Sequence, residues 1–192
     1  RRSLAPGVVL HHVALSDATE VAVGWVHGRG AAGASPTAAR VWSTWLGDRL
    51  PPGVWLELGP YTVEGALVIP PENWSAAVVV FGEAVRRHPL QSVDLRGVVP
   101  VVSDPVGWAI DSVWFPPESV RSTLLTPEPA PPTERDVRRF QRHVLSAPLD
   151  IWVLGPLPIE QVEADLAPLF ATRRRVGRPD VPLPWAPAVS SE

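Results

Sequence analysis

The clearest pattern with a known chemistry is a run of three spaced glycines. Residues Gly28–Gly33 read GxGxxG, directly after a β-branched stretch and before a helical one. In dinucleotide-binding folds this pattern brings a pyrophosphate to the first N–H groups of a helix. Here Ser35 and Pro36 supply the N-cap and the first helical residue, so the helix begins only after the glycines. We therefore expect a Gly/Ala-rich connection, and a nucleotide-binding enzyme that uses Gly28–Gly33 stays as an alternative.

The histidines do not form a recognisable metal site. The sequence has five of them, at positions 11, 12, 27, 88 and 143. His11 and His12 are adjacent in a strand-like stretch, so their side chains are expected on opposite faces. Neither HExxH nor HxxEH occurs, and the sequence contains no cysteine. We expect no metal and no cofactor.

The sequence also lacks the pattern of a nucleophilic hydrolase. GxSxG does not occur, and Ser35 is explained by its expected role as a helix N-cap. We therefore predict no catalytic residue.

Composition restricts the classes of function further. The chain has 17 basic and 20 acidic residues, a formal net charge of -3 that does not favour nucleic-acid binding. Every basic residue is Arg, which we interpret as the codon bias of a GC-rich bacterium. No apolar stretch approaches the ~20 residues of a membrane span. We expect no membrane partner and a cytoplasmic location.

The order of predicted strands and helices, which must position any site, indicates an α+β fold with a mixed, mostly antiparallel sheet covered by helices. The clearest unit has a capping box at Thr133 and Asp136, an amphipathic helix, the strand Ile151–Leu154 closed by Gly155, and a second helix. Because Ile151–Leu154 is wholly apolar, we expect that strand to be covered on both faces.

Earlier in the chain the predicted order is two strands, a helix, two strands and a helix, over residues 8–15, 20–27, 36–47, 54–58, 61–69 and 74–87. The first two strands are close enough in sequence to pair as an antiparallel hairpin. We place a single domain at residues 1–170 and a Pro/Arg-rich C-terminal arm at residues 171–192.

Nine tryptophans are many for 192 residues. Five fall on predicted core stripes, namely Trp25, Trp42, Trp45, Trp74 and Trp152. The other four lie in less regular sequence, namely Trp55, Trp108, Trp114 and Trp185. A contiguous exposed set of these four would mark a partner surface.

Residues 7–170 resemble one domain of the pitrilysin/insulinase-like metallopeptidases, the inverzincins. The stretch TERDVRRFQRHVLSAPLDIWVLGPLPIEQVEADLAPLF matches the family's capped helix, its strand closing on Gly155, and its helix ending at Phe170. The earlier sequence is similar to the family's β-hairpin, Gly-containing loop and first helix. The resemblance implies an α+β domain of the kind from which these peptidases are built.

Catalytic members of that family carry HxxEH on the first helix, which supplies two zinc ligands and the general base. In this chain Arg40, Ser43 and Thr44 stand where His, Glu and His would belong. None of these residues ligates zinc well, and the charge of Arg40 would repel the ion. The resemblance therefore implies a non-catalytic domain without zinc.

Non-catalytic domains of the family pack against catalytic ones, and some hold the peptide with an Arg and a Tyr just before a strand. Here Gly59-Pro60-Tyr61 resembles the tyrosine segment with one residue fewer, and the nearest preceding arginine is Arg49. The resemblance thus implies Tyr61 and Arg49 as peptide-binding candidates. It also implies a hetero-oligomer with a zinc-bearing subunit that encloses a peptide, as in bacterial leader processing. A peptide- or protein-interaction module without a peptidase partner is the alternative from a different class.

Overall fold

In a computed structural model the chain forms a six-stranded sheet with helices packed on it. The structure describes residues 1–31, 35–59, 61–90 and 132–173. The strands are β1 (Arg2–Ala5), β2 (Val8–Ala14), β3 (Val21–His27), β4 (Trp55–Leu58), β5 (Val63–Ile69) and β6 (Leu149–Gly155). The helices in these ranges are α1 (Pro36–Gly47), α2 (Trp74–Val85), α3 (Glu134–Leu145) and α4 (Ile159–Leu166). Short 3-10 turns at Pro71–Asn73 and Ala167–Phe170 precede α2 and follow α4.

The strand order is β1-β2-β6-β3-β5-β4. Only the β2–β6 pair is parallel, and the other four pairs are antiparallel. The expected α+β class and the mixed, mostly antiparallel sheet are therefore confirmed. Strand β1, a short edge strand rich in polar residues, was not expected from the sequence.

The predicted hairpin of the first two strands is wrong, because β6 lies between them. Trp152 of β6 is beside His11 of β2 and opposite Gly24 of β3. The link of six residues between β2 and β3 can bridge the ~10 Å that one intervening strand requires. Gly155 at the end of β6 accepts a hydrogen bond from the Leu15 N–H, at 2.9 Å, where that link begins.

The expectation that β6 is covered on both faces is also wrong. Leu149, Ile151 and Val153 are buried, whereas Asp150, Trp152 and Leu154 between them remain partly or largely exposed. The buried residues of every long strand follow the same alternation and share one core with all four helices. We call this side of the sheet the helix-covered face and the other side the open face.

Local capping fixes the helix positions that the sequence predicted. The Ser35 hydroxyl accepts a hydrogen bond from the Ala38 N–H at 3.1 Å, and α1 begins at Pro36. Thr133 and Asp136 form the expected capping box, in which the Thr133 N–H donates to the Asp136 carboxylate at 3.0 Å. None of the helices in the described ranges is long and apolar enough to cross a membrane.

Large aromatic side chains fill the space between the sheet and the helices. Trp25 meets Phe81 of α2 edge-on at 5.5 Å between ring centroids, and Trp42 meets Phe140 of α3 in the same way at 5.4 Å. Such contacts stabilise by about 0.5–1.5 kcal/mol beyond the area that they bury. The predicted core positions of Trp25, Trp42, Trp45 and Trp74 are confirmed. Trp152 is the exception, because it lies on the open face.

Candidate functional site

The open face of the sheet carries an exposed apolar row across four strands. Val13 is beside Leu154, Leu154 is opposite Ala22, and Ala22 is opposite Val68. The exposed fractions of the three large side chains are 46% for Val13, 36% for Leu154 and 57% for Val68. A contiguous apolar patch of this kind is typical of a surface that another molecule covers.

A second row on the same face is aromatic. It runs from His11 through Trp152, Gly24 and Ala66 to Trp55, in the register of the four strand pairs. The His11 ring stacks on Trp152 with 5.0 Å between centroids and an interplanar angle of 11°. Trp55 is 48% exposed at the β4 edge.

The third row is acidic and completes a gradient along the strands. Asp150 is opposite Val26, which is opposite Glu64, and Glu64 is opposite Glu57. The Asp150 carboxylate is 2.8 Å from the His11 ring nitrogen Nε2. The open face therefore changes from apolar at one end of the strands to acidic at the other. Sequence reasoning missed this face, although Val13, Val68 and Leu154 were readable as every second residue of apolar strands.

Helix α1 presents the positions that the resemblance singled out. Arg40, Ser43 and Thr44 are partly exposed, while Trp42 and Trp45 are buried against the core. The Ser43 hydroxyl donates a hydrogen bond to the Arg40 carbonyl oxygen at 3.0 Å. Within the described residues, no group of three or more His, Asp or Glu side chains is placed to hold a metal ion.

The start of the glycine run packs against backbone and offers no phosphate cradle. The Gly28 N–H donates to the Pro148 carbonyl at 2.9 Å, and the Ala31 N–H donates to the Gly59 carbonyl at 3.1 Å. Strand β3 before the run is antiparallel to both of its neighbours, so the parallel crossover of a dinucleotide fold is not built around it. Gly33 lies outside the described residues.

We compared the sequence and the fold with those of known proteins. No protein-family model matches the chain, and no curated protein matches it by sequence. Among solved structures, pitrilysin is similar with a TM-score of 0.66 and 15% identity, over 93% of this chain and 23% of pitrilysin. A predicted insulinase-family protease from Yersinia pestis has a TM-score of 0.65 at 11% identity, over 90% of this chain and 45% of that one. An inactive peptidase M16 domain from Pseudomonas fluorescens has a TM-score of 0.54 at 13% identity, over 87% of this chain and 48% of that one.

The chain has the pitrilysin-like fold. The resemblance read from the sequence is confirmed at this level. The chain spans about a quarter of pitrilysin and about half of the other two structures.

The two predicted peptide-binding residues lie on separate segments of the pitrilysin-like fold. Tyr61 is partly buried in the loop between β4 and β5, because the strand begins at Val63 and not at Tyr61 as expected. Arg49 follows α1, and its guanidinium carbon is 4.3 Å from the centroid of the buried Trp45 ring. Their joint role in binding a peptide stays a prediction. Trp108, Trp114, Trp185 and residues 174–192 of the arm lie outside the described residues.

His11 and His12 lie on opposite faces of β2, as their adjacency predicted, and the other histidines lie in different environments. His12 contacts the Leu157 carbonyl oxygen through Nε2 at 2.9 Å, and His88 contacts the Glu83 carbonyl oxygen through Nε2 at 2.7 Å. His27 is buried on the helix-covered face, and neither of its ring nitrogens has a hydrogen-bond partner. Burial, and then the charge of Arg173, lower the pKa of His27 from 6.5 to about 3, so its imidazole is neutral at physiological pH.

Proposed function

We propose that this domain is a non-catalytic metallopeptidase-like subunit, which pairs with a zinc-bearing subunit and helps to position a peptide. The pitrilysin-like fold supports a peptidase setting, and one similar structure is named an inactive peptidase domain. The partly exposed side of α1 bears Arg40, Ser43 and Thr44, and these side chains supply neither a zinc ligand of the usual kind nor a general base.

The main support for pairing with another subunit is the open face of the sheet. Val13, Leu154 and Val68 form one apolar row, and burying the part of each side chain that is still exposed would be worth about 1–2 kcal/mol. A folded monomer lacks the stabilisation from the part of each side chain that still faces water. A partner that covers the row obtains it on association, and the acidic row at the other end of the strands would set its orientation.

Peptide positioning is assigned to Tyr61 and Arg49, on the resemblance described above. Arg49 already lies over an aromatic ring, a contact that holds a guanidinium without neutralising its charge. Bacterial leader-peptide removal in the cytoplasm is the setting that we propose. An interaction module that binds a peptide without any peptidase partner is the second candidate, which the same open face would serve.

Co-purification with an HxxEH-bearing subunit from the same genome tests the pairing. We expect the isolated chain to contain no stoichiometric zinc and to cleave no peptide, and the mixture to cleave. Leu154→Asp should abolish complex formation, because it buries a carboxylate in the apolar row. Val79→Asp is the matched control, since Val79 is a large side chain with 64% exposure on α2 and lies away from the open face.

Three results would decide between the candidates. Metal-dependent proteolysis by the chain alone would refute a non-catalytic role. Peptide binding by the chain without any complex with the peptidase subunit would favour the interaction module. Equal loss of the complex in Leu154→Asp and Val79→Asp would show that the open face is not the contact surface.

A further inference from the structure

An arginine-rich cleft lies on the helical side of the molecule, away from the open face. It has a volume of about 510 Å³ between the end of α2 and helix α3. Its lining residues are Arg87, Thr133, Glu134, Arg135, Arg138 and Arg142. Among the described residues, four guanidinium groups therefore share one cleft with a single carboxylate, in a chain whose overall charge is negative.

Contacts beside the cleft hold α3 against the segment that follows α2. In the amide orientation that satisfies its neighbours, the buried Gln141 side chain donates to the His88 carbonyl oxygen and accepts from the His88 N–H, at 3.0 Å each. The Arg138 Nε donates to the Leu90 carbonyl oxygen at 2.8 Å, and its guanidinium also pairs with Glu134. These contacts join the segment after α2 to α3, so the cleft is formed before any ligand arrives.

Two of the cleft arginines, Arg87 and Arg142, have no ion pair within the described residues. Arg138 and Arg142 are four residues apart on one helix, a like-charge spacing that destabilises a helix by a few tenths of a kcal/mol. Asp136 on the same helix has a lowered pKa, first through its hydrogen bonds to Thr133 and then through the charges of Arg135 and Arg139.

We infer that this cleft binds an acidic polypeptide segment of a partner protein. Arg135, Arg138 and Arg142 lie along about 10 Å of one helix face, which is longer than a single phosphate can bridge. Carboxylates on one side of an extended segment are about 7 Å apart and can reach successive arginines. None of the described residues that line the cleft is aromatic, so they offer no platform for base stacking, which disfavours single-stranded nucleic acid. The Asp136 side chain and the Thr133 hydroxyl form the capping box at the start of α3, so the helix terminus does not supply the site.

Fluorescence anisotropy with the full chain and a labelled Glu-Ser repeat peptide tests the inference. We expect saturable binding at low salt that weakens as salt is added. The double variant Arg87→Gln/Arg142→Gln should reduce the affinity about tenfold or more, because each charge-assisted contact contributes to binding. Both residues are exposed, so the thermal midpoint of the variant should match that of the native chain.

Arg139→Gln is the matched control, because Arg139 has the same charge on the same helix but does not line the cleft. It should change the affinity less than about twofold. An equal loss in Arg139→Gln and in either cleft variant alone, Arg87→Gln or Arg142→Gln, would overturn the inference in favour of non-specific attraction. So would the absence of binding at low salt, tighter binding of a single-stranded oligonucleotide of equal charge, or complete competition by inorganic phosphate. A Gln-Ser repeat peptide should not bind, and its binding would overturn the assignment of an acidic ligand.

Discussion

Strand β6 meets two different environments along the same seven residues. Leu149, Ile151 and Val153 point to the helix-covered face, where each is at most 1% exposed. Trp152 and Leu154 point to the open face, where the neighbouring strands add further apolar side chains but no described helix covers them. Both sides of β6 carry large apolar side chains, but the open side also carries Asp150 and its residues are much less buried.

This difference separates the residues that stabilise the fold from those available for association. On the helix-covered face, burial of each large side chain stabilises the folded chain by about 1.5–3 kcal/mol. On the open face Val13, Leu154 and Val68 remain 36–57% exposed, so a large part of that gain is obtained only when a partner excludes water. A substitution on one face should therefore be measured in the unfolding of the chain, and a substitution on the other face in complex formation.

Truncation of one residue on each face gives the largest contrast. Ile151→Ala should lower the free energy of unfolding by about 2–5 kcal/mol, because it leaves a cavity beside fully buried neighbours. Leu154→Ala, three residues further along the strand, should lower it by less than about 1 kcal/mol. Urea unfolding of both variants measures the two values. Similar losses would mean that the open face is covered within the chain.

His27 should make the helix-covered face sensitive to acid. Its folded pKa of about 3 lies below the 6.5 of the unfolded chain, so between these values only the unfolded state binds the proton. Stability is therefore complete above pH 6.5 and falls as the pH drops towards 3, by about 1.4 kcal/mol per pH unit.

Unfolding of the native chain and of His27→Leu between about pH 4 and pH 7 measures this slope. The variant should have the flatter profile, whatever its stability at neutral pH. His143→Gln is the control. The pKa of His143 is also lowered, first by burial and then by Arg29 and Arg139, but this residue is only partly buried and should contribute less. An unchanged slope in His27→Leu would contradict the prediction.

Two strand glycines provide a smaller contrast of the same kind. A Cβ on Gly65 would lie 2.2 Å from Cζ2 of Trp25, whereas a Cβ on Gly24 would have its nearest neighbour, the Gly65 carbonyl oxygen, at 3.9 Å. Gly65→Ala should therefore lower the free energy of unfolding by about 1–3 kcal/mol through overpacking. Gly24→Ala on the open face should be neutral, or stabilise by up to about 1 kcal/mol, because it restricts the unfolded chain. Thermal unfolding of the pair distinguishes the two effects, and equal shifts would contradict this account of the two faces.

A feature could be predicted from the sequence when the residues that determine it are close together along the chain. The caps at Ser35 and Thr133 are local, since each involves residues three apart, and both helices begin where predicted. The position of β6 between β2 and β3 is non-local, because it joins segments more than 120 residues apart, and no local signal specifies that pairing.

The open face shows a second reason for failure. An apolar run such as Ile151–Leu154 does not reveal whether alternate residues are covered by a second layer of the same chain or by another molecule. The helices that pack on one side of the strand are what distinguishes its two sides. For the same reason the resemblance implies a candidate site without locating it, and the strand predicted to begin at Tyr61 begins two residues later.

The smallest expected effect concerns the pair of His11 and Asp150 on the open face. The two side chains are 2.8 Å apart, His11 stacks on Trp152, and both members of the pair retain contact with water. A double-mutant cycle with His11→Gln and Asp150→Asn should give a coupling free energy of about 0.2–1 kcal/mol that decreases with salt. His27 on the helix-covered face has no hydrogen-bond partner and should dominate the acid response, because burial, and then the charge of Arg173, lower its pKa. A coupling well above this range would show that the open face is shielded from water, and the distinction between the two faces would then have to be abandoned at this end of the sheet.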